Sequence, residues 1–247
     1  MLIKNTRFNI VYPRISNLRR KAFDIEDLLK DYFHQVTLIP VPDDAPEEIP
    51  RISTTSHNGH SQLNISLSNT QLITNYDDTF QGKWENCLTY VEDRVNTLYN
   101  VLGNYANEGY FFSGLTTEIV FETLTDKEPI KDPINLIKSK FINIDTNTNP
   151  HDIEQKITFV IEEEYYVNIT FKNLRVYEGL NIQSPGMLRN EKAHYLVCVL
   201  DINDRYGFNY KDAYTSNIEN AMKVINITRS ILDNKLHKMI LEGVFDL

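Results

Sequence analysis

The chain has 247 residues, 41% of them apolar and 24% charged, the proportions of an ordinary globular fold with room for one large core or two closely packed halves. Its 34 acidic and 25 basic residues leave a formal charge of −9, which disfavours a general phosphate-tracking surface, because affinity for nucleic acid rests on Lys and Arg neutralising phosphates. Two cysteines, Cys87 and Cys198, exclude a disulfide framework and a multi-thiolate zinc site, and both read as small core hydrophobes.

Arg7-Phe8-Asn9-Ile10-Val11-Tyr12 alternates up to Pro13 and predicts a first strand. A basic stretch follows, with Arg14, Arg19, Arg20 and Lys21; an exposed helix start accounts for it without a nucleic-acid partner. Phe23, Ile25, Leu28, Leu29, Tyr32 and Phe33 predict a helix over 22–34, and Val36 to Val41 a short strand. The proline-rich acidic segment from Pro40 to Pro50 resists helix formation and reads as an exposed connection. Next, Asn58-Gly59 predicts a two-residue type I′ hairpin turn, since both residues tolerate positive φ, and residues 51–76 read as a three-stranded meander. From Phe80 the period changes: Trp84, Leu88, Val91, Val95, Leu98 and Leu102 form one stripe of a long helix that should lie across the meander.

Tyr110 to Leu124 reads as strand again, interrupted at Gly114. Asp132-Pro133 starts a short helix through about Phe141, with the acid as N-cap and proline in the first turn. A second meander is expected from Ile157 to Tyr177. Tyr195 to Asp201, apolar on both faces, suits a central strand. Ser216-x-x-Glu219 resembles a capping box ahead of a long final helix marked by Ile218, Met222, Ile225, Leu236 and Ile240.

A repeat organises these elements. Leu63-Asn64-Ile65-Ser66-Leu67, a Ser68-Asn69 turn and Gln71-Leu72-Ile73-Thr74 return as Val167-Asn168-Ile169-Thr170-Phe171, Lys172-Asn173 and Leu174-Arg175-Val176-Tyr177. The expected fold is therefore α+β, in two related halves (1–105 and 106–247), each an antiparallel β-meander packed by a long amphipathic helix.

Few residues offer chemistry. His57 and His60 flank the Asn58-Gly59 turn, close enough to share a metal ion, but two neutral imidazoles are an incomplete ligand set. Asp145, Glu154 and Lys156 can be arranged into an acid-then-Glu-x-Lys nuclease pattern, which requires carboxylates converging on Mg²⁺ from adjacent strands. Glu162-Glu163-Glu164 reads as a charged hairpin end. No phosphate loop, nucleophile elbow, dinucleotide fingerprint or His-Glu-x-x-His helix occurs. Fourteen Tyr and twelve Phe suit strands, and also suit an interface; Tyr165, Tyr166 and Tyr177 on the second meander are the expected contact residues.

The early strand and helix, Pro50-Arg51-Ile52 opening a meander, the long helix from Phe80, and Leu200-Asp201-Ile202 feeding a C-terminal helix resemble a sporadically distributed, uncharacterised bacterial α+β family. That resemblance implies a bacterial cytoplasmic protein encoded within mobile defence or toxin–antitoxin loci. At the level of topology the order is also similar to SecB-like chaperones, although a shared fold does not carry function. The amino terminus lacks the apolar run of a signal peptide, and the longest apolar run, Tyr195 to Leu200, is far short of the roughly 20 residues of a membrane helix, so a cytoplasmic location is expected. The expected function is a non-enzymatic protein-binding module, accessory, chaperone-like or antitoxin-like, needing no cofactor and engaging a protein partner or a second copy. A metal-dependent hydrolase or nuclease and a homo-oligomeric scaffold are the alternatives.

Overall fold

The computed structural model describes residues 1–42, 44–106, 109–125, 128–142, 148, 150–178 and 191–247. Strand β1 (Leu2–Val11) begins well before the alternation at Arg7, because a bulge between Ile3 and Asn5 absorbs the adjacent polar pair Lys4-Asn5 and returns Ile3 to the core. Helix α1 (Ala22–Leu29) buries Ala22, Ile25 and Leu29 and stops short of the expected 34. Phe33 is instead extended, bridging to Ser56 at 1% exposure. Only Thr37–Leu38 of the expected Val36–Val41 strand pairs, as edge strand β2.

The first meander is present as β3 (Ile52–Thr55), β4 (Ser61–Ile65) and β5 (Asn69–Asn75). Its first turn differs from the two-residue expectation. Ser56 N–H donates to the Ser61 carbonyl at 2.8 Å, closing a four-residue loop in which Gly59 has φ 73 and Asn58 does not have positive φ. Asn58 uses its side chain instead, accepting from the Ser56 hydroxyl at 2.7 Å. Helix α2 (Trp84–Leu102) buries the predicted stripe of Leu88, Val91, Val95, Leu98 and Leu102. It packs on β1, and the buried Tyr76 hydroxyl donates to the Cys87 carbonyl at 3.1 Å, tying its first turns to the end of β5.

Strand β6 (Phe112–Phe121) runs through Gly114 without interruption; β7 (Thr123–Thr125) and β8 (Glu128–Pro129) form a small separate two-stranded sheet. Helix α3 (Pro133–Ile137) is capped by Asp132, whose carboxylate accepts from Asn135 N–H at 3.0 Å, and continues as a π turn to Ile142. Strand β9 (Glu154–Ile161) turns into β10 (Tyr165–Tyr177), which is one continuous strand. The expected turn at Lys172-Asn173 is absent, because both residues pair with β11 (Glu191–Asn203), opposite Val197 and Leu196. Helix α4 (Arg205–Tyr210) precedes α5 (Ile218–Ser230), whose N-cap is Asn217 with Asn220 reciprocating, rather than Ser216 with Glu219. A π turn over Ile231–Lys235 leads into α6 (Leu236–Glu242).

All the strands except β7 and β8 join one nine-stranded antiparallel sheet, ordered β2-β3-β4-β5-β1-β6-β11-β10-β9. The β1–β6 ladder joins residues 1–105 to residues 106–247 within that sheet. Period-two alternation sends Phe8, Ile10, Leu63, Leu72, Leu115, Ile119, Ile169, Leu200 and Ile202 to a face covered by α2 and α5, where they form one core. Cys87 and Cys198 lie in that core, and burial pushes the Cys87 thiol up to about 12. No described helix is long and apolar enough to cross a membrane.

Candidate functional site

The other face of the sheet is polar at its centre. One cross-strand row runs Gln71, Asn9, Gly114, Asn203, Tyr166, and the next runs Ile73, Arg7, Thr116, Asp201, Asn168. Gly114 lowers the middle of the first row, since a Cβ there would lie 2.7 Å from the Asn203 Cβ. Arg7, Asn9, Gln71, Thr116, Asp201 and Asn203 thereby line a shallow cavity of about 270 Å³, closed on one side by Phe112 and Arg205. The Arg205 guanidinium sits 5.3 Å from the Phe112 ring centroid.

Beside this hollow the surface turns aromatic. The Phe208 ring lies 5.1 Å from Phe111 and 5.6 Å from Phe112, and Tyr206 lies 5.2 Å from Tyr166 and 4.6 Å from Tyr210. Phe111, Phe208 and Tyr210 are 37%, 38% and 68% exposed, so the cluster is presented outward rather than spent on the core.

Short α4 has little intrinsic stability and owes its position to a buried carboxylate. Asp204, at 0% exposure, accepts from Ser113 N–H at 2.5 Å, from the Tyr214 hydroxyl at 2.9 Å, and from the Ser216 hydroxyl. Burial pushes its carboxyl above the usual range, against the pull of these donors. Gly207 supplies the space for Tyr214, since a Cβ there would meet the ring at 2.6 Å. Glu164 continues the network, accepting from Lys211 and from Asn220, both at 2.6 Å. Burial alone would raise the Glu164 carboxyl, but Lys211, Tyr165 and Tyr214 outweigh it and hold it below its ordinary value. Two carboxyls displaced in opposite directions can divide acid and base roles, yet Asp204 is closed to solvent and every donor around it comes from the fold. Its work is to hold α4 against the end of β6.

The residues singled out from sequence scatter. Tyr165 is 4% exposed, faces the helices and accepts from Asn220 at 3.2 Å; Tyr166, its neighbour, lies on the opposite face; Tyr177 is half-buried at the far end of β10, opposite Glu191. Only Tyr166 joins the aromatic cluster. His57 and His60 leave the four-residue loop toward different partners. His57 Nε2 lies 2.8 Å from the Lys30 carbonyl and its Nδ1 3.4 Å from His34 Nδ1, while His60 Nε2 is 3.7 Å from Asp77. Glu154 and Lys156 are exposed on one face of edge strand β9, and Asp145 lies outside the described residues. Among the described residues, no group of three or more His, Cys, Asp or Glu is placed to hold a metal ion. Asp204, Phe208 and Tyr210 were missed; the available signal was Tyr206-Gly207-Phe208-Asn209-Tyr210, dense in aromatics for a segment leaving a strand. In comparison with known proteins, the sequence matches no family model and no curated relative.

Proposed function

We propose that the protein is a non-enzymatic protein-binding module, an accessory, chaperone-like or antitoxin-like component that docks a partner on the uncovered sheet face. The observation that carries this reading is the exposed aromatic cluster of Phe111, Phe208 and Tyr210, anchored by Asp204 beside the polar hollow of Arg7, Asp201 and Arg205. Large rigid rings next to a few directional polar groups are the composition of an interface centre with its rim. The partner such a surface suits is a protein segment with bulky apolar side chains and a neighbouring charge.

The two halves are, in this reading, related copies. The strand order β3-β4-β5-β1 is mirrored by β9-β10-β11-β6 about the β1–β6 seam. The repeated Asn64 and Asn168 each accept at 2.8 Å from the hydroxyl directly across the ladder, Ser53 in one case and Thr158 in the other. Asp204, α4 and the aromatic cluster have no counterpart after β5, so the docking surface belongs to the second copy.

The test is affinity purification of the tagged chain from its host, in parallel with a Phe208→Ser/Tyr210→Ser variant, with intact-complex mass of each eluate. A partner at fixed stoichiometry with the unaltered chain and lost with the variant is the expected result. No partner, or one held equally by the variant, ends the proposal; a homodimer lost with the variant would make the partner a second copy.

A further inference from the structure

We infer that a second cavity, at the opposite half of the molecule, binds a small phosphorylated anion through a set of four arginines. Arg14, Arg19, Arg20 and Arg51, with Asn17 and Leu67, line a hollow of about 410 Å³, the size of a small-molecule site. The first three come from the segment after β1, where Asn17 in the left-handed conformation (φ 58) turns the chain back on itself. Arg51 opens β3 from the other wall, and its N–H donates to the Ile65 carbonyl at 2.9 Å.

Arg51 is the informative member. It is 2% exposed, and its guanidinium donates to the main-chain carbonyls of Ile49 at 2.8 Å, Ala45 at 2.9 Å and Pro46 at 3.4 Å. Among the described residues no carboxylate pairs with it. Carbonyl dipoles satisfy its N–H groups but leave its full charge in the interior, a costly arrangement that an anion would relieve. The neighbouring charges add to it. Arg19 donates to the carbonyls of Ile39, at 3.1 Å, and Val41; Arg14 meets Glu47 at 3.3 Å across an exposed contact; and Arg20 is exposed.

Four guanidiniums lining one hollow concentrate positive charge in a chain of net charge −9, with Glu47 meeting one of them, Arg14, across an exposed contact. Planar forks match phosphoryl oxygens two at a time, and several forks around one hollow suit a group carrying two or more negative charges. A polynucleotide would need a basic track leading away from the cavity, whereas the overall charge is acidic.

Calorimetric titration of the full chain at low ionic strength, with inorganic phosphate, pyrophosphate, ATP and a single-stranded oligonucleotide in separate arms, tests the inference. The expected result is saturable one-to-one binding in at least one of the first three arms, with a raised Tm in that ligand. An Arg14→Gln/Arg20→Gln variant changes only exposed side chains, so it should keep the ligand-free Tm and bind at least about tenfold more weakly. Phosphate alone binding as tightly as ATP would identify the phosphoryl group as the whole ligand; tighter ATP binding would place a nucleoside within the site. The inference is overturned by no saturable binding at millimolar concentration, by equal binding to the variant, or by binding of the oligonucleotide alone.

Discussion

Asp204 and Arg51 are both carried into the interior, at 0% and 2% exposure, and their surroundings answer the charge in different ways. Around Asp204 an N–H and two hydroxyls converge on the carboxylate, and the site is closed. Around Arg51, among the described residues, neutral carbonyls converge, three more arginines stand nearby, and the site opens on a cavity. A buried charge met by matching donors is an anchor. One met by neutral carbonyls, among further arginines that line a hollow, is a receptor.

The sharpest way to break that contrast is Asp204→Ala. It strands three donors and should lower stability by about 3 kcal/mol in urea unfolding. A loss under about 0.5 kcal/mol would mean that α4 is held by something else. Arg51→Met should cost less in the ligand-free protein, about 1–2 kcal/mol, because it removes a buried charge together with its hydrogen bonds to neutral carbonyls. The gap between Arg51→Met and the unaltered chain should widen in pyrophosphate, as only the latter gains binding energy; an unchanged gap would remove Arg51 from the receptor.

A titration sharpens the other side. Asp204 is raised by burial, so the folded state keeps its proton to higher pH than the unfolded chain does. Its contribution therefore falls as pH rises from the ordinary carboxylate range through the folded pKa, and the stability gap to Asp204→Ala should narrow over that window. Glu164 is lowered and runs the other way: its contribution is present above the unfolded pKa and is lost as pH falls through the folded one. A gap that widened with rising pH would contradict the assignment for Asp204.

A smaller effect is expected where β9 turns into β10. Glu162 and Glu163 hold φ of 55 and 50, left-handed values that cost a side-chain-bearing residue about 1 kcal/mol. Glu162 is drawn there by Lys223 at 2.7 Å, whereas Glu163 is simply exposed. Glu163→Gly should thus raise thermal stability by about 0.5–1 kcal/mol, and a fall in Tm would assign the Glu163 side chain a role of its own.

Helix α2, the start of α3 and the strands of the first meander were legible because their signals are local. The stripe from Leu88 to Leu102 and the cap at Asp132 operate within a few residues, and tertiary packing merely used them. Lys172-Asn173 misled because polarity alone does not bend a strand when a neighbour, here β11, supplies the ladder. Ser216 misled because its hydroxyl was already committed to Asp204, leaving Asn217 to cap α5. The sites were least legible. Arg51 stands far from Arg14–Arg20 in the chain, and only the folded loop after β1 brings them together. Asp204 and Ser113 likewise meet across a long separation that no spacing rule encodes.

The β1–β6 seam imposes a timetable on synthesis. Strand β1 finds β5 as soon as the first meander has emerged, yet its other edge waits for Phe112–Phe121. At the 5–20 residues per second of translation, that edge stays open for roughly 2–10 s, and it carries Phe8 and Ile10 toward a half-built core. During that interval the nascent chain is an unfinished template for any passing strand. Its yield in a cell should depend on how fast the stretch from the end of β5 to β6 is translated, a sensitivity that synonymous codon changes in that stretch would reveal.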